Sequence, residues 1–230
     1  GGTLSAGLSG SGSLTLTNAS GATYDGEISA GTAKIINNGT INASITVNNG
    51  VDIQNTGTMN IDQFYSDIDM SMTNSGIISI HDLQTSDESV SINVSITGGV
   101  LQLDTAELNM GTLKIINGTL TPPPGGLVGV YGNLDLSQGG ILQLPAVGPG
   151  TLLTAVVAPS GGGGGGLTLG SVRLTNAAAL GGGQTQQGIY LYQPPNNAPT
   201  SVTTDSAVLN ATAVPVTGGG LFGFAFNITS

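Results

Sequence analysis

Carboxylates are the residues of this chain whose spacing could support chemistry, and they cluster in one part of it. Eight of the thirteen acidic residues fall between Asp62 and Glu107, including Asp67-x-Asp69 and Asp87-Glu88. Paired carboxylates can act as acid and base on a glycoside, or they can bind Ca²⁺ together with backbone oxygens. A third interpretation, which we favour, is a solvated acidic face that limits aggregation. The sequence leaves open whether Asp67 and Asp69 bind calcium.

Other catalytic residue types are scarce. The single histidine, His81, stands beside Asp82, and the absence of cysteine and of a second histidine leaves it without partners for a metal site. No serine lies in a nucleophile-elbow motif. The glycine run 161–166 lacks the lysine and the strand-to-helix context of a phosphate-binding loop. We therefore expect no enzyme activity, no cofactor and no bound metal.

The charge balance excludes two classes of partner. The formal net charge is −10, and the only cations are Lys34, Lys114 and Arg173. Three cations cannot neutralise a run of phosphates, so nucleic acids and anionic membranes are not expected partners. The sequence also contains no apolar run long enough to cross a membrane. Because 38% of the residues are hydrophobic and only 7% are charged, the chain is expected to fold.

Glycosylation sequons are more numerous than catalytic signals. The pattern Asn-x-Ser/Thr occurs seven times, at Asn18, Asn38, Asn42, Asn93, Asn117, Asn210 and Asn227. The flanking apolar residues of Asn42, Asn93 and Asn227 predict outward side chains, and Asn38 and Asn117 are predicted to lie at exposed turns. We expect N-linked glycans at several of these sites and an extracellular location at a cell surface. The alternative is that Asn, Ser and Thr simply populate β-turns.

A repeat between residues 14 and 144 must position these side chains. Glycines follow short polar turns at spacings of 18, 18, 19, 23, 19 and 22 residues; they are Gly21, Gly39, Gly57, Gly76, Gly99, Gly118 and Gly140. The second residue after each glycine forms an almost wholly apolar series of Thr23, Ile41, Met59, Ile78, Leu101, Leu120 and Leu142. The residues around them alternate between apolar and polar, which is typical of half-buried strands.

This period predicts an all-β fold with a β-solenoid-like repeat of about 20 residues, followed by a smaller β region. Each coil cannot bury its apolar face alone, so neighbouring coils must stack. Asparagine and glycine tolerate positive φ at a corner, and stacked asparagines can form side-chain ladders. The alternative is a β-sandwich of antiparallel hairpins with a donor strand, because Asn-Gly between alternating apolar residues also signals a hairpin.

Composition divides the chain into three regions. Residues 1–145 form the repeat region, 146–199 a glycine-rich β region, and 200–230 a tail. The tail ends in a strand-like run that places Phe222, Phe224, Phe226 and Ile228 on one face. This strand could complete a neighbouring subunit as a donor strand, or it could pack on its own subunit.

Several phrases of the repeat resemble a known group of proteins. The segments 35–41 (IINNGTI), 55–61 (NTGTMNI) and 74–80 (NSGIISI) look like coils of exported β-solenoid surface proteins, such as autotransporter passengers and filamentous-haemagglutinin-like adhesins. The segment 150–155 (GTLLTA) resembles the end of such passengers. In size and sequon content the chain is also similar to subunits of glycosylated archaeal surface filaments, which assemble by donating a terminal strand.

These observations favour a structural role. We expect a homopolymer: an extracellular filament subunit that joins copies of itself head-to-tail through terminal strands, because a contact of this kind that does not close on itself gives an open filament. An adhesin or carbohydrate-binding surface fragment is the alternative. A glycan-processing enzyme would need a cleft that combines carboxylates with basic residues.

Overall fold

The computed structural model is all-β. It describes residues 1–85, 92–123 and 128–144 and, beyond these, seven further strands, with no helix among them. The twenty strands are β1 Thr3–Ser5, β2 Leu8–Asn18, β3 Thr23–Asn37, β4 Thr40–Val47, β5 Val51–Asn55, β6 Thr58–Ser66, β7 Met70–Asn74, β8 Ile77–Thr85, β9 Val94–Thr97, β10 Val100–Ile116, β11 Thr119–Thr121, β12 Val128–Asp135, β13 Ile141–Leu144, β14 Ala155–Ala158, β15 Gly166–Leu169, β16 Ser171–Leu174, β17 Gln187–Tyr192, β18 Ser201–Thr204, β19 Ala211–Pro215 and β20 Leu221–Phe226.

The strands stack as a β-solenoid with about 19 residues per turn. On one side β3, β4, β6, β8 and β10 pair in succession, and on the other side β5, β7 and β9 pair between β3 and β10. All the described pairings from β1 to β18 are parallel. The predicted solenoid is therefore confirmed, and the hairpin-based sandwich is wrong because strands that follow one another in sequence, such as β3 and β4, pair in parallel and not as antiparallel hairpins.

The predicted apolar register forms the centre of the core. Ile41, Met59, Ile78, Leu101, Leu120 and Leu142 are paired one above another in successive coils, and none is more than 1% exposed. Each coil buries this side chain against the equivalent one in the coils on either side. Stacking therefore supplies the burial that a single coil cannot provide.

The first coil differs from the prediction by one residue. Tyr24, not Thr23, pairs with Ile41 and occupies the core column, because the turn after Asn18 is two residues longer than the turns after Asn37, Asn55 and Asn74. The Tyr24 hydroxyl donates towards the carbonyl oxygens of Ala6 at 2.6 Å and Glu27 at 2.8 Å. Burial of this hydroxyl raises its pKa above the ordinary value of tyrosine.

A ladder of buried asparagines runs along one corner, as predicted. The amide nitrogen of each residue donates to the side-chain oxygen of the next at 2.8 Å, through Asn18, Asn37, Asn55 and Asn74. Each of these amide nitrogens also donates to backbone carbonyls at the same corner, such as Thr40 for Asn18. The ladder ends at Asn74, because the following coil has Gly98 in the equivalent position.

The corner glycines are required for a different reason from the one predicted. Gly39, Gly57 and Gly76 do not have positive φ, and none of the ladder asparagines does. A Cβ atom on Gly57 would overlap the carbonyl oxygen of Gly39, and one on Gly76 would overlap that of Gly57. Close parallel stacking therefore excludes a side chain at these three glycine positions, whereas Gly21, Gly98, Gly99 and Gly139 do have positive φ.

Parallel stacking continues beyond residue 145. β14 and β15 pair with β12, and β17 and β18 then pair with β14 and β15. Strand pairing thus crosses the boundaries expected at 145 and 199. The pairing changes only at the end of the chain, where β20 lies antiparallel between β17 and β19.

Candidate functional site

A polar corner interrupts the alternation of three successive coils. In β6, β8 and β10 two consecutive outward residues separate two buried ones, and these outward residues are Asp62, Gln63, His81, Asp82, Asp104 and Thr105. The extra residue enters as a bulge, because β6 has two residues between Ile61 and Phe64 where β4 has only Ser44. A bulge of this kind bends the strand and re-aims its side chains.

A groove of about 570 Å³ lies along this corner. One wall carries Asp25, Asn42 and Asn60, which are stacked by the strand register. The other wall carries Asp62, His81 and Asp104 from the polar corner. Ala43, Ile61 and Ile80 lie between the two walls, but their side chains are buried in the core, so the floor is formed by their backbone. The volume is in the range typical of ligand sites.

Two hydrogen-bonded pairs organise the groove. The Asn60 amide nitrogen donates to the Asn42 side-chain oxygen at 2.8 Å. His81 Nδ1 lies 2.9 Å from Asp104 Oδ2, with the imidazole largely exposed. The sequence suggested Asp82 as the neighbour of His81, but stacking gives it Asp104 of the next coil. Lys34, Lys114 and Arg173 are not among the described lining residues, so the basic partners expected of a glycan-processing cleft are not seen there.

The face formed by the later strands of each coil carries balanced charges. Lys34 Nζ lies 3.4 Å from Asp52 Oδ2, and Lys114 Nζ lies 3.7 Å from Asp135 Oδ2. Burial alone would raise the pKa of Asp135, but hydrogen bonds from Ser137 and the Lys114 ammonium outweigh it and hold the pKa below the ordinary value. Asp25, Asp62 and Asp104, by contrast, line the groove, where no lysine or arginine is described.

The Asp67-x-Asp69 pair has mixed surroundings. Asp69 Oδ1 accepts the backbone N–H of Asn93 at 2.7 Å, which gives that carboxylate a structural partner. Asp67 Oδ1 is buried without a hydrogen bond. Within the described ranges no group of three or more acidic, histidine or cysteine side chains is arranged to hold a metal ion. Asp87 and Glu88 lie outside those ranges.

The predicted glycosylation sites have unequal environments. Asn38 and Asn117 are exposed, and Asn42 and Asn93 are partly exposed. Asn18 is only 6% exposed, and its amide nitrogen donates to Asn37, Ala22 and Thr40 in the ladder. A glycan would be attached to that same nitrogen, so Asn18 cannot carry one in the folded chain. Asn210 and Asn227 lie outside the described residues.

Glycan mapping of the native protein should separate these environments. We expect enzymatic deglycosylation in H₂¹⁸O to label Asn38 and Asn117, because their side chains are accessible, and to leave Asn18 unlabelled as an internal control. Peptide mass spectrometry measures both in one digest. Equal labelling of Asn18 and Asn38 would contradict the ladder, and a native protein without any label would end the glycoprotein hypothesis.

The C-terminal run predicted for assembly forms β20 up to Phe226, and Ile228 lies outside the described residues. Its backbone pairs on both edges within its own chain, for example Phe224 with Ile189 and with Ala213. Donating this strand to another subunit would require both pairings to break. The assembly role of Phe222, Phe224, Phe226 and Ile228 stays a prediction.

At the other end of the described coils lies an open strand edge, whose residues the sequence reasoning did not single out. β1 and β2 pair only with β3 among the described strands. The core columns reach this edge: Leu8 stacks on Ile28, Leu14 on Ala33 and Leu16 on Ile35. These leucines are half-buried, whereas their partners are at most 5% exposed, and Leu4 is 55% exposed. The absence of any charged residue before Asp25 was the available sequence signal.

Comparison with known proteins does not assign the chain to a family. No family model, curated protein or solved structure matches this chain. The described part of the chain has no helix with the length and apolarity needed to cross a membrane. The architecture itself is a parallel β-solenoid of about seven turns.

Proposed function

We propose that this chain is a structural subunit of an extracellular surface filament, in which solenoids join end to end. The observation that carries the proposal is the open edge formed by β1 and β2. An exposed strand edge offers unpaired backbone N–H and C=O groups to another chain. The half-buried Leu8, Leu14 and Leu16 add apolar surface in register with the core columns beneath them.

The edge lacks the features that usually prevent association. Natural edge strands are blunted by charged side chains or proline. Residues 1–24 contain neither, since the first charge is Asp25 and the first proline is Pro122. A partner strand that covered the three leucines would contribute about 1 kcal/mol for each of them. The edge is thus suited to accept another β-strand.

A second copy of this chain is the partner we propose. Its C-terminal region is as poor in charge as the open edge, because Asp205 is the only charged residue after Arg173. Two nearly uncharged ends can approach each other even though each subunit has a net charge of −10. The charged residues remain on the sides, where they would keep neighbouring filaments apart.

Lysine substitutions at the edge test this proposal. We expect the full chain to form fibres of uniform width that lengthen with protein concentration, and the Leu14→Lys/Leu16→Lys variant to remain monomeric because a charge would have to enter the stacked core. Thr73→Lys is the control, since it places a lysine on the exposed face of β7, a strand that does not belong to the open edge. Negative-stain microscopy and sedimentation velocity measure the outcome.

Two results would contradict the proposal: a wild-type chain that stays monomeric at every concentration, or a double-lysine variant that still assembles. A variant that lacks residues 218–230 tests whether assembly uses the C-terminal strand instead. If that deletion abolishes fibres while the lysine variant forms them, assembly uses the terminal strand β20 and not the open edge.

A further inference from the structure

We propose that the groove beside the polar corner binds an uncharged, hydroxyl-rich saccharide. The groove begins on β3, the strand next to the open edge, and extends away from that edge across the following coils, and the inference does not depend on filament assembly. It rests on the shape of the groove, on the hydrogen-bonding groups of its walls and on its charge.

The shape follows from the bulge in β6 and its continuation in β8 and β10. Two outward residues per coil widen the corner over three coils and create a volume of about 570 Å³. Between the two polar walls the floor is formed by the backbone of Ala43, Ile61 and Ile80, whose side chains are buried in the core. A sugar ring can lie along this groove, because its rim of hydroxyl groups reaches polar groups on either wall.

The walls offer both donors and acceptors. The side chains of Asn42 and Asn60 are joined by one hydrogen bond, so the pair retains an N–H donor at one end and an oxygen acceptor at the other. The carboxylates of Asp25 and Asp62 accept strong hydrogen bonds from hydroxyl groups. Because every sugar hydroxyl is both a donor and an acceptor, it can bond to either type of group.

Charge narrows the choice of ligand. Asp25, Asp62 and Asp104 face the groove, and His81 is held by Asp104. These carboxylates repel sulfated or uronic-acid polysaccharides. A metal ion is not favoured, because the described residues include no group of three suitable ligands. A neutral saccharide satisfies the acceptors without introducing a buried charge.

Repetition along a filament would compensate for a weak single site. The described lining includes no aromatic side chain, so the groove lacks the stacking surface that strengthens many contacts. One groove on each subunit of an end-to-end assembly would present many such sites to a polysaccharide, which raises avidity without new contacts.

Saccharide titrations of the full-length chain test the site. The probes are neutral hexasaccharides of glucose, mannose and xylose, with hexagalacturonate as the anionic probe and the hexamer of glucosamine as the cationic probe. We expect at least one neutral probe to shift the ¹H–¹⁵N signals of the Asn42 and Asn60 side-chain amides, and hexagalacturonate to leave them unchanged. Isothermal calorimetry gives the affinity.

Two variants locate the binding. Asn42→Ala/Asn60→Ala should weaken binding about tenfold or more, since two hydrogen-bonding groups are lost. Asp62→Ala, at an exposed position, should also weaken it, while Thr73→Ala on the opposite side of the solenoid should leave the affinity unchanged. Thermal unfolding checks that each variant is folded.

Several outcomes would overturn the inference. They are the absence of binding by every neutral probe, tighter binding of hexagalacturonate, binding of the glucosamine hexamer alone, and an unchanged affinity in both folded groove variants. Loss of fibres in the lysine variant of the open edge would leave saccharide binding unaffected, so failure of one proposal is distinguishable from failure of the other.

Discussion

Replacing Asn55 by leucine should lower the free energy of unfolding by about 2–5 kcal/mol, because the hydrogen bonds of one buried amide are lost together. Its oxygen accepts from Asn37 at 2.8 Å, and its nitrogen donates to Asn74 at 2.8 Å and to the carbonyls of Gly57 and Ile77 at 3.1 Å. Leucine has a similar volume, so the experiment removes the polar groups without leaving a large cavity. The two neighbouring ladder residues would lose a partner inside the core.

Gln54→Leu is the control for this substitution. Gln54 is the next residue in β5, its side chain points outward, and its contact with Asp52 is an exposed one at 3.4 Å. We expect a change within about 0.5 kcal/mol, as is usual for surface substitutions. Urea unfolding measures both variants. Equal effects at positions 54 and 55 would show that the ladder contributes nothing to stability. If the Asn55→Leu protein were more stable than the wild type, the ladder would serve only to fix the register in which the coils stack.

The core of this solenoid could be predicted from the sequence because it depends on local alternation. Apolar residues two positions after each turn glycine, such as Met59 and Leu101, are inward for the same reason in every coil. The corner asparagines could likewise be predicted, since Asn37, Asn55 and Asn74 recur at nearly equal spacing. Both features need only the strand period and a constant coil length.

Features that depend on one coil being longer than another could not be predicted in the same way. Two extra residues in the turn after Asn18 move Tyr24 into the core column. The bulge in β6 creates the polar corner, and the pairing of His81 with Asp104 joins residues 23 positions apart in sequence. Composition and periodicity contain no information about such insertions until the register is known.

The sequon at Asn18 illustrates the limit of motif reading. Asn18 and Asn38 fit the same three-residue pattern, yet the first is buried in the ladder and the second is exposed at the turn. The two residues differ in their position in the coil. Asn18 is the last residue of its strand and therefore belongs to the ladder, whereas Asn38 is the first residue of the turn after β3. A sequon therefore predicts a glycan only when the coil register is known.

Replacing Ile78 by alanine should lower the free energy of unfolding by about 2–5 kcal/mol, the range for loss of a large aliphatic side chain from a packed core. Ile78 is fully buried between Met59 of the preceding coil and Leu101 of the following coil. These neighbours belong to parallel strands whose backbone hydrogen bonds fix their positions, so the stack can collapse only in part around the missing atoms. We therefore expect a loss of stability towards the upper end of this range.

The adjacent residue gives a matched control of the same type. Ile77 is 41% exposed on the other face of β8, and Ile77→Ala should change the stability much less than Ile78→Ala. Chemical unfolding of both variants measures the difference. A register shift of one residue would exchange the two faces of the strand, so the ratio of the two effects tests the register of the whole repeat. A larger loss at Ile77 would invert the inward and outward columns and would move the polar walls of the groove into the core.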